Sequence, residues 1–292
     1  MNIKRHIEEL SLKDFSQRKD ALIRVLSSEG IHFSRESSRD IENFIFESNG
    51  SIDKNYLFTA HYDNFRGSSG ANDNMSSICI LIDLYREFNA RNIRSNFAFL
   101  DGEEYNHKGA AFFVQNHPAS KYAGIINLDM CGYGDSIVLN GKLHSFTAQR
   151  LLKKHNAELV KFLPESDDVI FHKHNPRTLN IAIVPKWDVQ YLKALAAFGD
   201  GLLGRPPEFY MILSQMEISQ TLHNAPKDSP EFVDELAMKK VFDFLLDAVS
   251  SDCEHKQFSL SKLLREFRDN INNCLKHLLE AVSSELRDCT ST

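Results

Sequence analysis

The chain has 292 residues, of which 42% are hydrophobic and 25% are charged, a balance that is typical of globular proteins and excludes collagen-like and wholly disordered chains. The 34 Lys and Arg residues are outnumbered by 40 Asp and Glu residues, which gives a net charge of −6 and no basic excess for a nucleic-acid partner. This length favours one large α/β domain with an appendage.

The composition also bears on the compartment. No apolar run approaches the ~20 residues of a membrane helix, and residues 1–10 lack the apolar stretch of a secretory signal. The five cysteines are Cys79, Cys131, Cys253, Cys274 and Cys289. They are scattered and form no Cys-x-x-Cys pair, which argues against a disulfide scaffold and against a thiolate zinc site. We therefore expect a cytoplasmic protein with no membrane partner.

The first predicted elements are one helix and two strands. Apolar residues at near-helical spacing predict a helix over Asp14–Leu26. The next apolar run, Ile41–Glu47, predicts a strand, and Asn49-Gly50 is typical of a hairpin turn. We therefore expect Tyr56–Ala60 to return beside Ile41–Glu47 as its partner strand and to end at His61.

Alternating helices and strands follow. Apolar residues at three- and four-residue steps predict a helix after Asp73, with Asn74 or Ser76 as its cap. The next predicted elements are strand Asn96–Leu100, helix Lys108–Asn116, and strands Gly124–Leu128, Ser136–Leu139, Ile181–Val184 and Phe209–Leu213. This alternation predicts an α/β fold, namely a three-layer sandwich with a mixed, mostly parallel central sheet and helices on both faces.

Two stretches in the C-terminal half have more than one interpretation. Apolar residues in Leu260–Leu286 step by three and four, which predicts one long amphipathic helix. This helix either packs on the domain or forms a seam between copies of a homo-oligomer. We therefore predict an α/β domain over residues 1–250 and a C-terminal helical extension over 251–292. Lys186–Ser219 is either a substrate wall or a surface excursion with its own short strand.

Acidic side chains follow two of the predicted buried strands. Asp129 comes directly after one strand, and Glu103 and Glu104 come soon after another. Adjacent carboxylates repel each other, and a cation such as zinc would hold them together. His61 ends a third strand and precedes Asp63, a carboxylate that could accept the second N–H of a metal-bound imidazole. Because open α/β sheets build their sites at the carboxyl ends of strands, we expect these side chains to converge.

A second imidazole, His223, lies far along the chain. The segments that combine with it are His61-Tyr62-Asp63, Gly70-Ala71-Asn72-Asp73-Asn74, Asp101-Gly102-Glu103-Glu104, Asn127-Leu128-Asp129-Met130, Ser166-Asp167, Leu222-His223-Asn224 and Val233-Asp234. Together they resemble the co-catalytic zinc aminopeptidases of the bacterial leucyl aminopeptidase and aminopeptidase Y type, of which the glutaminyl cyclases are a branch. The resemblance covers roughly residues 55–249. It implies a zinc-exopeptidase-like fold whose catalytic domain is the predicted 1–250 domain.

The resemblance also implies a set of metal ligands. His61 and Glu104 would bind one zinc ion, Asp129 and His223 would bind the other, and Asp73 would bridge the two. Two zinc ions are expected, and one is the alternative. Imidazole and carboxylate ligands would also accept manganese or cobalt.

Further roles follow from the same resemblance. Glu103 would be the general base and acid, Asp63 would orient His61, and Asp167 matches an acidic position near the substrate pocket. The implied activity is that of a metal-dependent exopeptidase, a zinc metallo-aminopeptidase that hydrolyses N-terminal residues of peptides with a zinc-activated water. The family pattern is kept only in part, because Asp168 stands where the family often has His.

Three alternatives remain open at this point. The Glu103 context, together with Asp167 and Phe171, also fits a glutaminyl-cyclase-like aminoacyltransferase that uses a single zinc ion. A catalytically silent binding module on the same fold is the second alternative. The third is an amidohydrolase of the carboxypeptidase and deacylase group, which the short stretch between Asp129 and His223 disfavours because those enzymes usually carry an inserted dimerisation domain there.

The remaining histidines are predicted to be surface or structural residues, and His107 is one of them. His172 and His174 are two residues apart, so on a strand they would lie on one face.

Overall fold

Eight strands form one mixed sheet in the part of the chain that the computed structural model describes, residues 2–141, 146–198 and 204–250. The strands are β1 (Ser34–Ser38), β2 (Ile41–Glu47), β3 (Ile52–His61), β4 (Ile93–Leu100), β5 (Gly124–Leu128), β6 (Ser136–Gly141), β7 (Glu158–Leu159) and β8 (Thr178–Val184). Their order in the sheet is β1-β2-β4-β3-β5-β8-β6-β7. Strands β4, β3, β5 and β8 run parallel, whereas the pairs β1–β2, β2–β4 and β6–β8 are antiparallel. The predicted mixed sheet is confirmed.

Helices connect these strands. The α-helices are α1 (Ile7–Leu10), α2 (Phe15–Ser28), α3 (Ser76–Ala90), α4 (Lys108–Asn116), α5 (Phe146–His155), α6 (Asp168–His172), α7 (Asp188–Leu195) and α8 (Pro207–Gln215), and residues 235–250 are also helical. Helix α2 begins close to the predicted position, because the Asp14 carboxylate accepts a hydrogen bond from the Gln17 backbone N–H at 2.9 Å and caps the first turn. Helix α4 and strand β5 match their predicted ranges.

The helices cover both faces of the sheet. Leu57 and Phe58 are adjacent on β3, so their side chains point to opposite faces. Leu57 belongs to an apolar cluster with Phe113 of α4 and Phe171 of α6. The Phe58 ring packs instead against Phe88 of α3, with centroids 5.6 Å apart. The predicted three-layer arrangement is therefore confirmed.

An aromatic cluster joins the strands that lead to the candidate site. Phe97 of β4 is fully buried and packs against Phe46, Phe58, Tyr85 and Phe88 at centroid distances of 5.2 to 6.0 Å. Each such pair contributes about 0.5–1.5 kcal/mol beyond the burial of its area. This packing holds β2, β3, β4 and α3 in register with one another.

The hairpin predicted at Asn49-Gly50 is wrong. Strands β2 and β3 are not neighbours, because β4 lies between them in the sheet. A Cβ atom added to Gly50 would lie 2.1 Å from the backbone carbon of Ile93, so the glycine is needed for the close approach of this connection to the start of β4. The observed hairpin joins β1 to β2, and Arg39 at its turn has a positive φ of 51°.

The strand predicted at Phe209–Leu213 is also wrong, because these residues lie in helix α8. Pro207 occupies the first turn, where a proline costs no hydrogen bond, and a short apolar run does not distinguish a strand from a buried helix. The rings of Phe162 and Phe198 pack edge-on against Phe209. Within the described residues of Lys186–Ser219, helices α7 and α8 pack on the core, so a substrate role for this segment stays a prediction.

Two smaller expectations are corrected as well. The N-cap position of α3 is Met75, which makes no side-chain capping hydrogen bond. The two predicted caps bond elsewhere, since the Ser76 hydroxyl donates to the carbonyl of Asn72 at 2.9 Å and the Asn74 amide donates to the carbonyl of Leu128 at 2.8 Å. His172 is the last residue of α6, and His174 lies in the turn that follows, so neither is on a strand.

The chain divides into two compact units, Met1–Leu246 and Asp247–Thr292. Residues 251–292 lie outside the described residues, so the tail helix over Leu260–Leu286, the domain limit at residue 250 and the seam between copies stay predictions. In the described ranges, no helix combines the length and the apolar character needed to cross a membrane.

Candidate metal centre

The carboxyl ends of adjacent parallel strands bring the predicted site residues together. His61 is the last residue of β3, and Asp129 follows the last residue of β5. Glu103 and Glu104 follow β4 after a short loop. His61 and Asp129 are only 1% and 6% exposed. The predicted convergence at the ends of the strands is confirmed.

The ligand atoms form two groups that share Asp73. In the first group, His61 Nε2 lies 3.2 Å from Asp73 Oδ1 and 3.5 Å from Asp129 Oδ1. In the second, Glu104 Oε2 lies 3.6 Å from His223 Nε2, and Asp73 completes the set. Ligands at about 2.0–2.2 Å from a tetrahedral zinc ion lie about 3.3–3.6 Å from each other. The observed spacings therefore suit zinc.

This grouping differs from the one that the family resemblance implied. His61 lies with Asp129 and not with Glu104, while Glu104 lies with His223. The register of the sheet explains the first pair. Thr59 of β3 lies opposite Asn127 of β5, and two residues further along each strand come His61 and Asp129, level with each other and on the same face. The predicted bridging position of Asp73 agrees with both groups.

Asp73 and His223 are held by loops that pack against each other. The Asp228 carboxylate accepts hydrogen bonds from the backbone N–H groups of Gly70 at 3.0 Å and Asn72 at 3.1 Å. Phe65, in the loop before Gly70, packs its ring against His223 with centroids 4.7 Å apart. Asp228 is thus a supporting residue that sequence reasoning missed, although its position five residues after His223 was a visible signal.

Asp63 links the first group to the Glu103-Glu104 loop. It is 2% exposed, and its Oδ1 atom lies 3.3 Å from His61 Nδ1. Its two oxygens accept the backbone N–H groups of Glu103 and Glu104, each at 3.1 Å. A carboxylate in this position fixes the orientation of the imidazole and leaves Nε2 for the metal. The geometry is therefore consistent with the orienting role predicted for Asp63.

Crowded carboxylates make the electrostatics of the centre unfavourable without a cation. Burial, with the charge of Asp73, raises the pKa of Glu104 to about 8. Burial also raises the pKa of Glu103, and the carboxylates of Asp129 and Asp167 add to the rise. Three potential ligand atoms of the described residues are buried without a hydrogen-bond partner: His61 Nε2, Glu104 Oε1 and Asp129 Oδ1. A divalent cation would give these atoms a partner and relieve the repulsion, so the residues present fit a zinc centre.

Asp167 and His107 lie beside Glu103. Asp167 is fully buried, and its Oδ1 atom lies 3.4 Å from His107 Nδ1, which in turn is 3.5 Å from Glu103 Oε1. Burial opposes protonation of His107, but the nearby carboxylates of Asp167, Asp168 and Glu165 together raise the pKa of His107. The structure thus places His107 beside the candidate centre, and its description as a surface or structural residue stays a prediction. Its position four residues after Glu103 was the available signal.

Comparisons with known proteins identify the family and the fold of this chain. The model of peptidase family M28 matches residues 43–249, which is more than half of the chain. No curated protein sequence matches.

Solved structures with a similar fold include enzymes of two kinds. A zinc aminopeptidase from Bacillus subtilis has 19% identity and a TM-score of 0.55 over 72% of this chain and 50% of that chain. A glutaminyl cyclase from an Acidobacteriales bacterium has 16% identity and a TM-score of 0.59 over 85% and 91%. A Zn-dependent exopeptidase from Parabacteroides distasonis has 14% identity and a TM-score of 0.58 over 85% and 96%. This chain thus spans about half the length of the B. subtilis chain. Sequence identities of 14–19% to these structures establish a shared fold alone.

Proposed function

The chain belongs to peptidase family M28, and from this premise we propose that it is a zinc-dependent aminopeptidase, which hydrolyses the N-terminal residue of peptides. The observation that carries the proposal is the pair of three-ligand groups that share Asp73, with Glu103 beside them but in neither group. A site of this composition has both the ligands for metal ions and a separate base for proton transfer.

The ligand groups define which residues would hold zinc. His61, Asp73 and Asp129 would hold one ion, and Asp73, Glu104 and His223 would hold the second. When bound, the ions would polarise the scissile carbonyl and lower the pKa of water towards ~7. Asp63 would keep the His61 ring oriented, because it lies against the Nδ1 atom on the side away from the ligand groups.

Glu103 is the residue proposed to move the proton. Its carboxylate would take a proton from the water as the water oxygen attacks the scissile carbonyl carbon. The same carboxyl group would then give the proton to the departing amine nitrogen as the C–N bond breaks, so the proton count balances. The contact with His107 would hold the Glu103 side chain in place.

Electrostatics favours the amino end of a peptide over the carboxyl end. Glu103 and Asp167 place two carboxyl groups beside the ligand groups but in neither of them, and the charge of Asp167 acts at the Glu103 carboxyl. A positively charged N-terminus is attracted to such a site, whereas a C-terminal carboxylate is repelled. An aminopeptidase is therefore favoured over a carboxypeptidase.

A glutaminyl-cyclase-like activity is the second candidate. The chain spans 91% of the matched Acidobacteriales cyclase chain and 96% of the matched Parabacteroides distasonis exopeptidase chain, so chain length does not separate the two candidates. The group Asp73, Glu104 and His223 could hold a single ion without the first group. Such an enzyme would close the N-terminal glutamine on itself and release ammonia.

Metal content and product identity distinguish these candidates. Elemental mass spectrometry should give about two zinc ions per chain, and peptides with N-terminal Leu or Gln should release the free amino acid. One zinc ion per chain, together with loss of ammonia from the Gln peptide, would refute the aminopeptidase proposal and support a cyclase. Bound metal with no turnover on a broad peptide panel would refute the aminopeptidase proposal and support a catalytically silent binding module.

A substitution tests the role of Glu103. We expect Glu103→Gln to keep its zinc and to lose turnover by about 10²–10⁴-fold, the usual contribution of a general acid–base group. Glu235→Gln, at an exposed position, is the matched control and should leave both unchanged. A near-normal rate in Glu103→Gln would remove Glu103 as the base.

Location and assembly are part of the same proposal. A cytoplasmic protein is consistent with the two described cysteines, Cys79 and Cys131, which are free and buried. Peptides are the proposed partners in the site, and a homo-oligomer through residues 251–292 stays a prediction that sedimentation of the purified chain would test.

A further inference from the structure

Arg18 of helix α2 is a buried cation outside the residues that match the family model. Its side chain is fully buried. The guanidinium group has five N–H donors, and all of them point at backbone carbonyls. Nε and Nη2 donate to Leu12 at 3.0 and 2.9 Å, and Nη2 also donates to Ser69. Nη1 donates to Asp63 at 3.3 Å and, more weakly, to Tyr62 at 3.5 Å.

Three of these four acceptors, namely Tyr62, Asp63 and Ser69, lie at the two ends of the loop that carries the metal ligands. Tyr62 and Asp63 directly follow His61, and Ser69 comes four residues before Asp73. One rigid, planar group therefore ties the start of the loop to its end. The loop would otherwise have to bring His61 and Asp73 together at an entropic cost when a metal binds.

The loop is also shaped around the guanidinium group. A Cβ atom added to Gly70 would lie 2.6 Å from Arg18 Nη1 and 2.8 Å from Nη2. Gly70 has a positive φ of 56°, which glycine adopts without strain. The backbone thus passes close to Arg18 immediately before it reaches Asp73.

The charge of Arg18 is not matched by a carboxylate in direct contact among the described residues. Burial lowers the pKa of Arg18 to about 10, and the more distant carboxylates of Asp228, Asp63 and Asp73 oppose this, so the group stays charged at neutral pH. By charge alone, a cation near the centre repels a metal dication. Any benefit of Arg18 to metal binding must therefore come from the geometry that it imposes.

We propose that Arg18 is a positioning residue of the metal centre, which holds both ends of the loop from Tyr62 to Asp73 so that the ligands are in place before the metal binds. The proposal rests on the proposed zinc site. Changes to groups that orient metal ligands typically cost about 10–100-fold in metal affinity, and Arg18 acts through the loop that bears both Asp63 and Asp73.

Variants of Arg18 separate position from charge. Arg18→Lys keeps the charge but offers three N–H groups in place of a five-donor fork, and Arg18→Met removes both. We expect both variants to bind zinc about 10-fold or more weakly in competition with a chelator, and the cobalt-loaded proteins to show altered visible spectra. Arg24→Lys is the control, because Arg24 lies on the same helix with its side chain 63% exposed.

The outcomes divide clearly. If charge dominates, Arg18→Met would bind zinc more tightly and Arg18→Lys would match the wild type. If Arg18 only stabilises the fold, the free energy of unfolding would fall while the folded variants kept wild-type zinc affinity and cobalt spectra. Either result overturns the proposal. A wild-type chain that binds no zinc would instead refute the proposed function, and the inference with it.

Asp14→Ala provides a second test that leaves the Arg18 side chain intact. Asp14 caps the first turn of α2, so its removal loosens the helix that carries Arg18. We expect a smaller loss of zinc affinity than in Arg18→Lys. Unchanged zinc affinity in the folded Asp14→Ala and Arg18→Lys proteins would overturn the proposal even if Arg18→Met did not fold.

Discussion

Replacing Asp63 with Asn is the most informative test of how the centre is held. The carboxylate faces His61 Nδ1 at 3.3 Å and accepts the backbone N–H groups of Glu103 and Glu104 at 3.1 Å. Asn has the same shape but only one acceptor oxygen, and its NH₂ group must face one of these three donors. The change therefore removes the charge and leaves a buried N–H group without an acceptor.

The magnitude follows from these contacts. A buried N–H left unpaired costs about 1–3 kcal/mol. Loss of the group that orients His61 should weaken zinc binding by about 10–100-fold, which corresponds to about 1.4–2.8 kcal/mol. Removing the charge also relieves repulsion with Asp101. The pKa of Asp101 is raised to about 7 by burial and by the charge of Asp63. We therefore expect the stability of the zinc-free protein to change less than the zinc affinity.

Two measurements check this expectation, namely chelator competition for zinc and urea unfolding of the zinc-free protein. The matched control is Asp53→Asn, because Asp53 is half-exposed and pairs with Arg94 on the surface. That pair should contribute no more than ~1 kcal/mol and should not affect zinc. Wild-type zinc affinity in Asp63→Asn would refute the argument that Asp63 organises the centre.

Two further variants address occupancy and pH. His223→Ala should lower the zinc content by about one ion per chain, because one ligand group loses its imidazole. The control His174→Ala, at an exposed position, should leave the zinc content unchanged. Unchanged zinc content in His223→Ala would remove His223 from the ligand set. Burial, with the charge of Asp129, raises the pKa of Asp168 to about 7, so the zinc-free protein should lose stability as the pH rises from about 4 through 7. Asp168→Asn should reduce this loss by the part that Asp168 causes and should unfold at higher urea than the wild type at pH 8, since each unit of raised pKa costs about 1.4 kcal/mol once the carboxyl is charged. An unchanged urea midpoint and pH dependence in Asp168→Asn would contradict this assignment.

By itself, the sequence determined those features that depend on local spacing. The apolar run Gly124–Leu128 and the segment Lys108–Asn116 were enough to predict a strand and a helix, because period and length are properties of neighbouring residues. The position of His61 and Asp129 directly after strands was equally visible. Since the carboxyl ends of parallel strands meet at one edge of a sheet, their convergence could be predicted as well.

Only the tertiary structure decided which elements are neighbours and which side chains meet. Asn49-Gly50 carries a hairpin signal, yet β4 lies between β2 and β3, where Phe97 packs against Phe46 of β2 and Phe58 of β3. His61 is grouped with Asp129 by the register of two strands that are far apart in the chain.

The same holds for the supporting residues. Arg18 reaches carbonyl groups more than 40 positions away, and His107 meets Asp167 across 60 residues of chain. Such contacts leave no local period in the sequence. They arise when the apolar faces pack and the buried polar groups are left with particular partners. Tertiary packing therefore decided the arrangement of the centre.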